Sequence, residues 1–153
     1  MKKLLLLIPF IFLFQGCYAA KALSTPVVIE YEILHESQYN EYAASTSKSV
    51  IVIRNQVDYK SELLKRSSAA IKAVNFDNET ILLIDMGTRL TGGYTIEMQS
   101  LTVENDYVRA QVILKSPGNN CGTTQAITNP FKLIKLKTTS EILITEKIIL
   151  YSC

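Results

Sequence analysis

Tryptophan is absent from the 153 residues, and histidine occurs once, as His35. A metal centre built from several imidazoles is therefore excluded. A Ser-His-Asp arrangement would have to run through His35 alone, which ends a strand beside Glu36 and reads as an exposed, inert side chain. The 6 glycines and 4 prolines are too few for a disordered or collagen-like chain. Nor is there a surplus of one charge. The 16 basic residues, less Lys2 and Lys3 of the leader described below, equal the 14 acidic ones. A nucleic-acid binder needs a basic face, so this balance argues against a nucleic-acid partner. There is no CxxC, and Gly92-Gly93 lacks the spacing and the following helix of a phosphate-binding loop. Glu30/Glu32 and Glu104/Asp106 read as solvated strand and turn residues rather than a catalytic carboxylate pair. The expectation is a protein that is not an enzyme, with no cofactor and no metal. What remains is a composition of 48% hydrophobic and 20% charged residues, enough for one domain with one core.

The N-terminus reads as an address. Lys2-Lys3 precede an apolar run from Leu4 to Phe14, broken only by Pro9. A bilayer-spanning helix needs about 20 apolar residues, so this run fits the apolar segment of a secretory signal. Gly16-Cys17 ends it, and Leu13 to Cys17 resembles the lipobox of bacterial lipoproteins, with Phe14 where Leu is usual. That resemblance implies cleavage after residue 16, lipidation of Cys17 and a membrane anchor of several acyl chains (palmitate among them). Each buried methylene adds about 0.8 kcal/mol to such an anchor. Cleavage after Ala19 or Ala20 is the competing reading. Tyr18, where Asp would retain the protein in the inner membrane, leans towards the outer membrane, with the domain facing periplasm or cell surface. Residues 17–26 form a tether, and 27–153 a single β-rich domain. Export leaves Cys121 and Cys153, which in an oxidising compartment are expected to pair, the alternative being two free thiols. A ring of about 33 residues contributes roughly 3 to 4 kcal/mol by loop entropy.

Along the domain, Ile29, Tyr31 and Ile33 alternate with Glu30 and Glu32, the pattern of a half-buried strand. Residues 35–48 are polar and read as a loop, and Val50 to Ile53 as a strand. Asn55 caps a helix through about Arg66, with Asp58 in its first turn, Lys65-Arg66 in its last and Val57, Leu63 and Leu64 as its apolar face. Ile81 to Ile84 reads as a central strand. Tyr94 to Met98, Val108 to Leu114, Phe131 to Lys137 and Ile142 to Leu150 read as further strands, and the apolar phase slips at Leu133-Ile134, predicting a bulge. Lys132, Lys135 and Lys137 form a basic stripe suited to protecting an edge strand. The predicted class is mainly β: an antiparallel β-sandwich or strongly curved sheet of about seven strands with one packed helix, the alternative being α+β.

One string of motifs carries a resemblance. Val74-Asn75-Phe76 leads into the Ile81 strand, followed by Gly87-Thr88-Arg89-Leu90-Thr91-Gly92-Gly93-Tyr94, a Pro117 to Cys121 loop and Thr124-Gln125-Ala126-Ile127-Thr128-Asn129-Pro130-Phe131. Over about 74–137 this resembles the C-terminal domain of the protease complex subunit PrcB, with Asn75 where the family has Asp. The resemblance implies an exported, often lipid-anchored, non-catalytic module that associates with an envelope protein partner, a protease in its namesake.

Arg89, Thr91, Gly92, Gly93 and Tyr94 are the candidate binding residues. Gly92 and Gly93 admit backbone angles or close approaches that a side chain forbids, with one of them expected at positive φ at the end of a hairpin. Arg89 and Tyr94 belong to the residue types favoured in contact hot spots. Their structural alternative is a glycine turn with Tyr94 in the core. Three functions follow: a protein-interaction or complex-assembly subunit, a protease inhibitor, or a structural envelope lipoprotein without a dedicated partner. Thr91 to Tyr94 is similar to the T-T-G-aromatic loop of chagasin-like inhibitors.

Overall fold

The computed structural model describes residues 27–42 and 47–153. The leader 1–16 and the tether 17–26, with Cys17, lie outside them. The described chain forms eight strands and one helix: β1 (Val27–Val28), β2 (Tyr31–Ser37), β3 (Ser49–Ile53), α1 (Gln56–Leu64), β4 (Thr80–Asp85), β5 (Thr95–Glu104), β6 (Tyr107–Pro117), β7 (Phe131–Leu136) and β8 (Glu141–Tyr151). They make two four-stranded sheets, ordered β1-β5-β6-β8 and β2-β7-β4-β3. The mainly β sandwich with one packed helix is thus the architecture found. One pair departs from antiparallel order: β8 runs parallel to β6, from Tyr107↔Glu141 to Pro117↔Tyr151. The turn between β7 and β8 carries the chain from one sheet to the other, so β8 cannot return as β7's hairpin partner. Arg54 fixes that turn, donating to the carbonyls of Thr139 at 2.7 Å and Ser140 at 2.8 Å.

The β2-β7-β4-β3 sheet is covered on both faces, which explains why all six residues of β4 are buried. Leu82, Ile84, Ile134 and Leu136 face the other sheet and meet Ile96, Leu101, Val108, Ala110, Val112 and Leu114. Ile81, Leu83, Leu133 and Phe131 face away and meet Tyr59 and Leu63 of α1, with Val74 and Phe76 alongside. Removing such side chains from water stabilises the fold by about 1.5–3 kcal/mol each. Leu133 and Ile134 are both apolar because both faces of β7 are buried. The bulge expected there is absent: β7 keeps regular register with β4. The shift lies instead in β2, between Ile33 and His35, and turns Leu34 into the helix-side core. The expected burial of Tyr31 and Ile33 is also corrected. They are 46% and 40% exposed, because two-residue β1 leaves the β2 edge of the sandwich uncovered.

The helix starts as its sequence predicts. Asn55 is extended (φ −152°) and its side chain accepts from the Asp58 N–H at 2.8 Å. Its end and its buried face differ. Lys65 is the C-cap and no basic residue lies in the last turn. Tyr59 and Leu63, one turn apart, are buried, whereas Val57 is 77% and Leu64 46% exposed. At 3.6 residues per turn, Val57 and Leu64 fall on the face opposite Tyr59. Arg66 then turns inward, donating to Asp85 Oδ2 from Nε at 2.8 Å and to Glu62 Oε2 from Nη1 at 2.8 Å.

Two measurements test this arrangement. Asp85→Ala takes from the buried Arg66 its most deeply buried partner, leaving it the Glu62 contact, and is expected to lower the unfolding free energy by about 3 kcal/mol in urea titration. The double variant Arg66→Met with Asp85→Ala should recover part of that loss, since the buried guanidinium is removed together with its partner. Glu41 gives an acid limb. Hydrogen bonds from Ser67 Oγ and the Ser68 N–H hold its carboxyl down to about 2, against an ordinary value of 4.5. A lowered folded-state pKa gives stability that is complete above the ordinary value and is lost as pH falls towards 2. Thermal melts between those limits should fall less steeply for Glu41→Gln than for wild type.

Candidate contact site

One end of the sandwich is built by three segments: 86–94, 117–130 and the C-terminal residues 151–153. Asp85, the last residue of β4, accepts from the Gly87 N–H at 2.7 Å, and Gly87 sits at φ 74°. Main-chain bonds then join the first two segments. Arg89 and Thr128 exchange N–H···O bonds at 2.8 and 2.9 Å, Met86 N–H reaches the Pro130 carbonyl at 2.9 Å, and Gly92 N–H reaches the Thr124 carbonyl at 3.1 Å. Thr128 Oγ1 donates to the Thr91 carbonyl at 2.8 Å, and Asn129 Nδ2 to Thr88 Oγ1 at 2.8 Å. The C-terminus closes the third side. Tyr151 Oη donates to the Gly93 carbonyl at 2.9 Å, and Gly118 N–H donates to the Tyr151 carbonyl at 2.9 Å. Cys121 and Cys153 are joined as a disulfide, their Cα atoms 5.1 Å apart.

The five sequence-predicted binding residues all lie here, and the geometry gives each a local task. Because β4 and β5 belong to different sheets, the segment is a crossover between sheets, not the expected hairpin end. Gly93 holds the positive φ, at 93°. A Cβ there would stand 2.9 Å from Tyr151 Oη, and one on Gly92 would stand 2.4 Å from Thr124 Oγ1. Thr91 and Gly92 are spent on bonds to the 117–130 segment. Tyr94 packs against the inter-sheet core. Arg89 is half-buried: its guanidinium lies 5.3 Å from the centre of the Tyr94 ring, and Nη2 donates to the Met86 carbonyl at 2.6 Å.

The surface this scaffold presents was missed in the sequence. Leu90 is 79% exposed and Ile127 62% exposed, each next to a member of the Arg89–Thr128 bridge. The available signal was a single large apolar residue inside each of two polar loops, where no periodicity calls for burial.

Three further readings are corrected. Lys132, Lys135 and Lys137 do not protect an edge, since β7 is central. They pair with Glu36 at 2.8 Å, Glu32 at 2.7 Å and Glu30 at 2.5 Å. Glu32 and Glu30 are accordingly held below the usual carboxylate range by hydrogen bonds from Lys135 and Lys137. They are not simply solvated, and the stripe offers no free positive face. Glu104 is likewise engaged. It accepts from Arg109 Nε at 2.6 Å, Arg109 Nη2 at 2.8 Å and Tyr107 Oη at 2.7 Å, which draw its carboxyl down to about 2. His35 is half-buried, not exposed, with its ring 5.4 Å from Phe131.

A cleft of about 530 Å³ opens where β2 and β7 part from β5, lined by Glu36, Gln38, Thr95, Pro130, Phe131 and Lys132. Among the described residues no group of His, Cys, Asp and Glu is placed to hold a metal ion. No helix among them is long and apolar enough to cross a membrane.

Fold and site together define a two-sheet β-sandwich with a helix on its second sheet and one end zipped from cross-bonded loops. Residues 80–137 match the family model described as PrcB C-terminal, so this segment is similar to that family. The match runs from the first residue of β4 to the residue after β7. No curated protein and no solved structure gives a significant match.

Two substitutions test the zipped end. Gly93→Ala forces a side chain to positive φ and against Tyr151, and is expected to cost about 1–3 kcal/mol in chemical denaturation. Cys153→Ser should cost roughly 3–4 kcal/mol by the same measurement, the loop entropy returned to the unfolded chain.

Proposed function

We propose that the protein is a non-catalytic, lipid-anchored subunit of the bacterial envelope that binds another protein at this loop end, a protease being the partner the family suggests. The observation that carries the reading is the exposed pair Leu90 and Ile127 on a rigid, cross-bonded base. Exposed apolar side chains on a fixed scaffold give contact area without an ordering cost on binding. The match of residues 80–137 to the PrcB C-terminal family supports association with a protease complex. The Gly16-Cys17 leader supports an anchor at Cys17, in the outer membrane by the Tyr18 rule. The wedge-like inhibitor reading is less favoured. Thr91, Gly92 and Gly93 have their carbonyls or N–H groups tied to Thr128, Thr124 and Tyr151, so the stretch is a bonded base and not a free loop that enters a cleft.

Arg89→Ala is a poor probe of this site, because the half-buried guanidinium braces Met86 and Tyr94 and its loss lowers the melting temperature. Leu90→Asp with Ile127→Asp is the discriminating variant. It is expected to leave the melting temperature within about 2 °C of wild type, as exposed substitutions do. Crosslinking capture from the native envelope should fall at least tenfold, with a protease as the protein lost. Equal capture by wild type and variant would refute the contact role. Cys17→Ala should release the protein from membranes and change its mature mass. An unchanged membrane fraction and mass would refute the anchor.

A further inference from the structure

From Ile142 to Leu150 the chain reads Ile-Leu-Ile-Thr-Glu-Lys-Ile-Ile-Leu, a hydropathy palindrome centred on Glu146. This stretch is the outer strand of its sheet. β8 pairs with β6 on one side, and no described strand lies on the other. Its register with β6 is unbroken, so its side chains alternate without a slip. Ile142, Ile144, Glu146, Ile148 and Leu150 share the inner face; Leu143, Thr145, Lys147 and Ile149 share the outer one. Ile142 and Ile144 pack on the core. Ile148 and Leu150 are on the same face yet 67% and 71% exposed, and Leu143 is 45% exposed. An edge strand of 11 residues with exposed large apolar side chains is a template for another strand.

We propose that β8 pairs antiparallel with β8 of a second copy, across a twofold axis that passes through Glu146. An axis normal to the sheet keeps inner face with inner face. Ile144 then opposes Ile148 of the second copy, Ile142 opposes Leu150, Leu143 opposes Ile149, and Thr145 opposes Lys147. The twofold repeats each pair, so every exposed apolar residue of the strand gains an apolar neighbour. A slip by one residue is forbidden, because it sets inner side chains against outer ones. Moving the axis to Lys147 opposes Lys147 to itself and Ile148 to Glu146. Moving it to Thr145 opposes Ile144 to Glu146 and Leu143 to Lys147. Of these three positions, only the axis at Glu146 matches apolar with apolar along the whole strand. There the two carboxylates meet, and each is already paired with Lys48 of its own chain. A strand of another protein would need no such symmetry in β8; a second copy does.

The test is sedimentation of the full chain in detergent from about 1 to about 100 µM, where small interfaces associate. A dimer growing with concentration is expected. Ile148→Lys with Leu150→Lys should raise the dissociation constant at least tenfold at an unchanged melting temperature, since both side chains are exposed in the monomer. In a Cys17→Ser background, Glu146→Cys should oxidise to a crosslinked dimer faster than Lys147→Cys. A 1:1 mixture of Thr145→Cys and Lys147→Cys should crosslink across the pair. A wild type that stays monomeric overturns the proposal. So does association unmoved by the double lysine variant, which would place it outside β8, or equal crosslinking at 146 and 147.

Discussion

The carboxylate of Asp85 is the joint on which the two halves of the structure turn. One oxygen takes the buried Arg66 at the end of the helix, and the other takes the Gly87 N–H at the start of the crossover. Asp85 is itself 1% exposed. A buried charge of this kind is tolerated only when its partners are fixed, because desolvation costs several kcal/mol per ion. The helix therefore cannot shift along its sheet without disturbing the loop that leaves β4. The position of the contact end is set by a contact made on the other side of the sheet.

Burial on both faces gives β4 and β7 their character. Lysines survive on β7 because each finds a glutamate, most of them from β2. Those pairs neutralise the stripe, so the charged rungs hold the β2–β7 register and offer no basic surface to a ligand. Exposed apolar side chains include Leu90 and Ile127 at the loop end, and Leu143, Ile148 and Leu150 on β8, whose free side lies open. The first sits on a base closed by main-chain bonds and a disulfide, and the second is a bare sheet edge. They differ in chemistry, and they lie on different elements of the fold.

Much of the architecture was legible. Strand alternation in Val108 to Leu114, the continuous apolar run at Ile81 to Ile84 and the Asn55 cap are local signals, and local signals survive folding. The loop motif from Gly87 to Phe131 was legible as a family string, and so was a positive φ at Gly92 or Gly93, which the structure places at Gly93. What failed did so for non-local reasons. The buried face of α1 was misread in part, because Val57 and Leu64 are apolar yet exposed, while Leu63 is buried as expected. Tyr31 and Ile33 alternate as core residues do, but the short β1 leaves them no cover. His35 was read as exposed because its partner, Phe131, is far away in sequence.

The amino-acid sequence by itself determined the mainly β class, the single helix, the glycine-bearing loop and the family resemblance over residues 80–137. Each depends on residues within a few positions of one another, where sterics and periodicity act directly. Only the tertiary structure decided that β8 runs parallel to β6 and that the motif bridges two sheets. It alone turned the lysine stripe into ion pairs, and it alone left Leu90 and Ile127 outside while Tyr94 went in. Those outcomes depend on which surfaces meet after the sheets close, and a one-dimensional pattern does not say what will lie opposite a given side chain.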